Sequence, residues 1–265
     1  MKLGFIGCGN MASAIISGIV ESKVANAKDI FAFDINSNMC SRLADKYKVN
    51  IADSENDVVR TCDAVILAVK PNVIGSVLDK INITLSESDT LIISIAAGKD
   101  INYLRSFLSH DNRIIRVMPN INATVGSAMS AFTANGFCTD EDKQFCKKIF
   151  EGVGRVMELD ESYFPLFGVI AGCSPAFCYM FADALATAGV QNGMKKDVSL
   201  EIAAQVMLGS AEMILQSGKH PGELIDMVCS PGGTTIEGVA SLKADGLEAA
   251  IHNAVNKAVE KDSKL

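Results

Sequence analysis

Leu3-Gly4-Phe5-Ile6-Gly7-Cys8-Gly9-Asn10-Met11-Ala12 decides how the rest of the chain is read. Leu3–Ile6 is a short apolar run of strand type. From Asn10 to about Glu21 the pattern is that of an amphipathic helix. Between them stands Gly7-x-Gly9-x-x-Ala12. The first glycine permits a tight turn, the second lets the main chain approach a pyrophosphate, and the small third residue lets helix and strand pack closely. The helix N-terminus adds free N–H groups and the positive end of its dipole. Alone, such a turn is weak evidence. Its strand–turn–helix context, with the acid Asp34 about twenty residues on, makes it a dinucleotide-binding fingerprint. Gly7, Gly9, Asn10, Met11 and Ala12 are therefore candidate cofactor-binding residues.

Asp34 closes the second strand, Ile30–Phe33. An acid there accepts hydrogen bonds from an adenosine ribose diol and repels a 2′-phosphate. Ile35–Ser41 contains no Arg or Lys to hold such a phosphate, which leans the cofactor toward NAD. A solvated strand-end aspartate is the alternative reading.

Outward from this start, short apolar runs alternate with helical stretches. Helix is expected over Asn38–Tyr47 and Asp140–Val153. Ala64–Val69, Leu91–Ile95 and Ile114–Met118 are continuous apolar runs, as buried parallel strands are, and Arg155–Leu159 is a last short strand. The alternation predicts a doubly wound α/β sheet with helices on both faces. Its carboxyl edge should complete the cofactor site. Ala68-Val69-Lys70-Pro71, Ala96-Ala97-Gly98 and Met118-Pro119-Asn120 end successive strands there, so Ala68, Val69, Lys70, Pro71, Ala96, Ala97, Gly98 and Asn120 join the candidates. Ordinary turn chemistry would explain any one of these segments alone.

From Glu161 onward almost everything reads helical. The expected boundary separates residues 1–160, a nucleotide-binding domain, from 161–265, a helical domain. Ser174 followed by Pro175 suits an N-cap and first helical position, for a helix running to about Val190. That helix is apolar on nearly all sides and must be buried on all sides. A domain this small can hardly do that, which points to a subunit interface. Asp197–Gln216, with Asp197 as N-cap, and Asp245–Lys261 are further long helices.

Cys229-Ser230-Pro231-Gly232-Gly233-Thr234-Thr235 is the most unusual segment. Pro-Gly-Gly forces a sharp turn, and Thr-Thr opens the next helix. A glycine turn feeding a helix N-terminus presents N–H groups to an anion such as a carboxylate, and Ser230, Thr234 and Thr235 add hydroxyl donors. A helix–helix connector with threonine capping would use the same residues.

Composition excludes several classes. Over 265 residues the formal net charge is −7, with 49% hydrophobic and 21% charged residues. This is ordinary for a packed globular chain, and no Lys/Arg cluster suits a nucleic-acid partner. Eight cysteines and three histidines show no CxxC or other zinc spacing, so no metal is expected. Free thiols suit a reducing compartment. No secretory signal and no membrane span are expected, and the cytoplasm is the default location. No Ser-His-Asp order, HExxH or carboxylate pair is seen. A reaction needing little proton-transfer help, such as hydride transfer to a C=N bond, fits that equipment.

Together the motifs GFIGCGNMA (Gly4–Ala12), AVKP (Ala68–Pro71), SIAAG (Ser94–Gly98), RVMPN (Arg116–Asn120) and HPGELIDMVCSPGGTTIEGV (His220–Val239) resemble the pyrroline-5-carboxylate reductase family across nearly the whole chain. The last motif is the most specific. The resemblance implies a Rossmann domain followed by an all-helical dimerisation domain, and reduction of 1-pyrroline-5-carboxylate to L-proline with NADP or NAD as cofactor. It leans toward NADPH. It places the substrate carboxylate against Ser230, Gly232, Gly233, Thr234 and Thr235. Thr235, the catalytic candidate, lies near the ring nitrogen and donates a hydrogen bond, or a proton by way of water. It also implies a homodimer, assembling further into a decamer of five dimers.

Some positions depart from the family pattern. Ile121-Asn122 stands where Thr-Pro is usual. Ala171, Cys173 and Phe177 replace two hydroxyl residues and a tyrosine. Each lost hydrogen bond costs about 0.5–1.5 kcal/mol, compatible with a slower enzyme or another small cyclic imine acid as substrate. A nucleotide-binding paralogue without activity is a third reading. A hydroxyacid dehydrogenase would need a lysine on the long helix, and Ala176–Val190 has none.

Overall fold

The computed structural model describes residues 1–262. One 8-stranded sheet forms its frame, in the order β3-β2-β1-β4-β5-β6-β7-β8. The strands are β1 (Leu3–Ile6), β2 (Ile30–Phe33), β3 (Asn50–Ile51), β4 (Ala64–Leu67), β5 (Leu91–Ser94), β6 (Ile114–Met118), β7 (Ala128–Ala134) and β8 (Gly154–Glu158). The order reverses between β1 and β4, which pair in parallel with Leu3 opposite Ala64 and Ile6 opposite Leu67. Open sheets of this kind bind ligands at that switch point.

The period-2 alternation of the strands builds two cores, one on each face. Leu3, Phe5, Ile66, Ile93 and Val117 join α1 (Asn10–Glu21), α2 (Ser37–Tyr47) and α6 (Asp140–Glu151) on one side. Ile6, Val65, Leu67, Ile92 and Ile114 join α3 (Glu55–Thr61), α4 (Ile74–Ser86) and α5 (Ile101–Arg105) on the other. The expected Rossmann-type doubly wound arrangement is what forms.

The sheet is not wholly parallel, however. β7 runs antiparallel to β6, with Met118 opposite Ala131, and β8 follows β7 in parallel. Neither β7 nor the two-residue β3 was anticipated. β7 reads Ala-Met-Ser-Ala-Phe-Thr-Ala, a mixture of small and polar residues with no apolar run to announce it.

By internal contacts the chain divides into two compact units, residues 1–172 and the residues from Cys173 onward. An ion pair explains why 161–172 stays with the first unit. Glu161 Oε1 accepts from Arg116 Nη1 on β6 at 3.0 Å and from the Ile101 N–H that opens α5 at 2.9 Å. The buried Arg116 guanidinium also lies 4.5 Å from the centroid of the Phe164 ring. Then follow α7 (Phe164–Phe167) and a π-helical turn, Gly168–Cys173.

The second unit holds α8 (Ser174–Gln191), α9 (Lys196–Ser217), α10 (Pro221–Val228), α11 (Thr234–Ala244) and α12 (Leu247–Asp262). Two expected caps are corrected. Residues 168–173 are already helical, so Ser174 lies inside a helical course and Cys173 precedes α8. Lys195 is the N-cap of α9. Asp197 sits in its first turn, where a negative charge complements the dipole. The hairpin of α8 and α9 is held by small residues, with Ala186 and Ala203 buried. It is braced by Lys196 Nζ, 2.7 Å from Asp183 Oδ1 and 2.7 Å from Thr187 Oγ1.

Most large apolar residues of this hairpin are exposed in the single chain; Tyr179 is 63% and Met180 72% exposed. The stretches Glu161–Gln191 and Lys196–Ser217 are long and apolar enough to cross a membrane by length and composition alone. This differs from the sequence-based expectation of no membrane span. Apolar patches this large mark a surface that something covers.

α1 reaches its place through a close contact at Gly18. A methyl group there would lie 2.3 Å from Val153 Cγ1 and 2.5 Å from the Gly152 carbonyl oxygen. Gly18→Ala gains about 1 kcal/mol of helix propensity, while overpacking costs about 1–3 kcal/mol. The variant should melt several degrees below the parent by calorimetry. An unchanged or raised melting temperature would show that α1 can shift freely.

Candidate active site

At the switch point, the carboxyl ends of β1 and β4 nearly touch. Gly7 has φ +101°, a conformation that side chains disfavour. A methyl on it would lie 2.7 Å from the Ala68 carbonyl oxygen and 2.9 Å from Val69 N. Hydrogen bonds from Gly7 N to Phe33 O (2.8 Å) and from Ala68 N to Ile6 O (2.8 Å) hold the turn between its neighbours. Gly9, the N-cap of α1, makes no side-chain cap bond, and a methyl built on it meets open space. Beyond it Asn10 is exposed, Met11 half-buried and Ala12 fully buried against the core. The first turn of α1 carries no acid and no side-chain cap, so no side chain of the helix itself occupies its N–H groups. These are the properties a pyrophosphate needs.

Asp34 is tied to this turn. Its Oδ2 accepts from Cys8 N and its Oδ1 from Asn36 N, each at 2.8 Å. Two backbone N–H groups thus fix the carboxylate plane. Each oxygen keeps a second acceptor site. Beneath it Cys8 and Cys40 are buried with sulfurs 3.8 Å apart. Burial pushes the Cys8 thiol well above its ordinary pKa, and it pushes Cys62 up to about 12. A desolvated thiol is a poor nucleophile, so these cysteines serve as packing. All eight cysteines are free.

The other predicted segments fall along the same edge. Ala68, Val69 and Pro71 are half-buried and Lys70 is exposed. On the neighbouring β5, Ile95 N donates to Leu67 O at 3.2 Å. Ala96 is buried, and Gly98 has φ +70°. Asn120 differs. It is only 6% exposed. Its Nδ2 donates to the Ala171 carbonyl at 2.8 Å, and its Oδ1 accepts from Met129 N at 3.2 Å. The amide is engaged by protein on both sides.

Ser230, Gly232, Gly233, Thr234 and Thr235 belong wholly to the helical unit. His220 Nδ1 caps α10 by accepting from Gly222 N at 3.1 Å. The turn after α10 closes through Gly233 N to Ser230 O at 3.0 Å. Gly232 has φ +65°, and a methyl on Gly233 would lie 2.3 Å from Ser230 Oγ. Gly233 is the N-cap of α11 and lends it no side chain. Thr234 does not cap the helix. It and Thr235 are exposed in the first helical turn. The N–H groups of that turn remain available to an anion.

Some participants carry little or no signal in the sequence. Cys8 N–H and Asn36 N–H fix Asp34, but main-chain groups leave no mark in a sequence. Glu161, the partner of Arg116, lies 45 positions away. A lone arginine inside Ile114–Met118 was the one available signal. Among the described residues, no group of three His, Cys, Asp or Glu side chains is placed to hold a metal ion.

A glycine-lined switch point, an uncapped helix N-terminus and a fixed acid at the end of β2 define a dinucleotide-binding oxidoreductase of the Rossmann class. Comparisons with known proteins narrow that class. Residues 2–98 match a family described as NADP oxidoreductase, coenzyme F420-dependent. Residues 161–265 match one described as pyrroline-5-carboxylate reductase dimerisation. Pyrroline-5-carboxylate reductase of Escherichia coli (strain K12) is 41% identical over 100% of this chain and 98% of its own. The Coxiella burnetii pyrroline-5-carboxylate reductase structure superposes with a TM-score of 0.95 at 28% identity, covering 99% of this chain and 97% of that one. The Plasmodium falciparum pyrroline carboxylate reductase structure, with NADP bound, gives a TM-score of 0.86 at 33% identity over 99% and 97%. The chain belongs to the pyrroline-5-carboxylate reductase family.

Proposed function

We propose that this chain reduces 1-pyrroline-5-carboxylate to L-proline with NAD(P)H, as a step of proline biosynthesis. The observation that carries the reading is the presence, in one chain similar over its whole length to reductases of that name, of a dinucleotide cradle and a glycine turn at an uncapped helix start. Residues 1–160 serve as the NAD(P)-binding domain, and 161–265 as the helical dimerisation and substrate-binding domain.

When bound, the cofactor supplies the hydride. Gly7, Gly9, Asn10, Met11 and Ala12 hold its pyrophosphate, and Asp34 its adenosine ribose. Ala68–Pro71, Ala96–Gly98 and the main chain at Asn120 line the nicotinamide side. The N–H groups at Gly233–Thr235, with Ser230 and Gly232 shaping the turn, receive the substrate carboxylate. Thr235 Oγ1 donates a hydrogen bond to the ring nitrogen, and the proton that nitrogen gains as the C=N bond becomes a C–N single bond comes from water, directly or relayed through that hydroxyl. The imine carbon is already electrophilic, so a hydrogen bond suffices where a carbonyl substrate would need a stronger acid.

Purified protein should oxidise NADH or NADPH only when the pyrroline carboxylate is added. Thr235→Ala should keep the melting temperature and lower kcat. A hydrogen bond to a charged group is worth about 1.5–3 kcal/mol, which is about 10- to 150-fold in rate. No oxidation with either cofactor would refute the activity. The positions Ala171, Cys173 and Phe177 favour a second reading, another small cyclic imine acid. A panel of ring sizes in the same assay separates the two.

Within the NAD(P) class, the fixed Asp34 carboxylate supports NADH. At an effective dielectric near 20, a carboxylate and a 2′-phosphate charge oppose each other by about 1–3 kcal/mol. Asp34→Ser should therefore raise kcat/KM for NADPH relative to NADH by about 5- to 150-fold. An unchanged ratio, or a parent enzyme that already prefers NADPH, would overturn this assignment.

The exposed apolar faces of α8 and α9 support a homodimer, and five such dimers would make the decamer. The thiols and the biosynthetic role suit the cytoplasm. Sedimentation velocity should return at least twice the chain mass, and Met180→Glu should lower it. A parent that sediments as a monomer without detergent would contradict the dimer. Recovery only in the detergent phase would point to a membrane instead.

A further inference from the structure

The side chain of Asn120 does something other than face a ligand. Met118-Pro119-Asn120 ends β6 at the carboxyl edge of the sheet, where the proposed nicotinamide site lies. One helical course away, Ala171 sits in the π-helical turn Gly168–Cys173. In an α-helix the Ala171 carbonyl would accept from the N–H four residues on. That residue is Pro175, which has no N–H. Asn120 Nδ2 instead donates to this carbonyl at 2.8 Å in a buried setting. Its Oδ1 accepts from Met129 N, just inside β7, at 3.2 Å. The fit is tight at this point, since a methyl on Gly168 would lie 2.6 Å from Met118 Cε. One amide thus ties the end of β6, the start of β7 and the turn that leads to α8. The amide serves one buried carbonyl and one half-buried N–H, groups whose pairing matters in an interior.

We propose that Asn120 is a positioning residue for hydride transfer: its amide replaces the N–H that Pro175 lacks and so fixes the strand end against which the nicotinamide lies. The kinetic part rests on the reductase reading above, whereas the structural part does not. In Asn120→Ala the carbonyl loses its donor. The apo-protein should melt lower, and the NAD(P)H Kd, read by fluorescence titration, should weaken severalfold. At saturating cofactor, kcat should fall at least tenfold. The isotope effect on kcat with cofactor deuterated at the transferred C4 position should rise, because loosened geometry makes the chemical step limiting. Adding Pro175→Ala restores a main-chain N–H four residues after Ala171, so the double variant N120A/P175A should recover at least half of the lost melting temperature.

Should Asn120→Ala fail to fold, Asn120→Asp carries the same test. Protonated, the new carboxyl can still donate to the Ala171 carbonyl. Ionised, it cannot, so its melting temperature should fall relative to the parent as pH rises above about 4. Three outcomes overturn the proposal. The first is parental kcat and isotope effect in a folded Asn120→Ala. The second is a weaker Kd with unchanged kcat, which means direct cofactor contact only. The third is no recovery of stability on adding Pro175→Ala, or no pH trend in Asn120→Asp. If the parent oxidises neither cofactor, the reductase reading fails while the melting arms still decide the role of the amide.

Discussion

The structure depends on how closely two main chains approach at the point where the strand order reverses. β1 and β4 are neighbours in the sheet but are separated in sequence by two strands and three helices. Their ends come together only because Gly7 lacks a side chain that would strike Ala68. That approach sets the start of α1. Gly18 then lets the same helix settle onto the turn before β8. The cradle for a dinucleotide is thus a by-product of packing at two glycines. The dipole and free N–H groups at the helix start are there before any ligand arrives, which is what preorganisation means energetically.

Much of this was legible in the sequence because the relevant signals are local. β1, β2 and β6 have the expected bounds, and α1 spans Asn10–Glu21. Continuous apolar runs marked the buried strands, and glycine spacing marked the turn. Other features were hidden for identifiable reasons. β7 has too few large apolar residues to read as a strand. Its antiparallel direction follows from the short link after β6, which no periodicity encodes. The π-helical turn leaves no hydrophobic period to count. The caps of α8 and α9 were misplaced because good capping residues, Ser174 and Asp197, sit one or two positions inside the helices.

The candidate site was legible as a set of segments and less so as a set of atoms. Asp34 stood out by position, yet its orientation comes from Cys8 N–H and Asn36 N–H. Asn120 was found by its place at a strand end, but its side chain is spent on other backbone groups. Glycine and threonine spacing identified Ser230–Thr235, because that turn is dictated by residues adjacent in sequence. Chemistry that resides in a turn survives translation into sequence; chemistry built from distant backbone groups does not.

The α8–α9 hairpin, with its apolar side chains facing outward, would make the fold a matter of concentration in the homo-oligomer proposed above. Where a second copy covers such a surface, unfolding and dissociation become one equilibrium. The melting temperature of such a chain rises with its own concentration, and dilution alone can cost it its native state. In a cell, a chain defective only in that hairpin would also draw down the pool of competent partners.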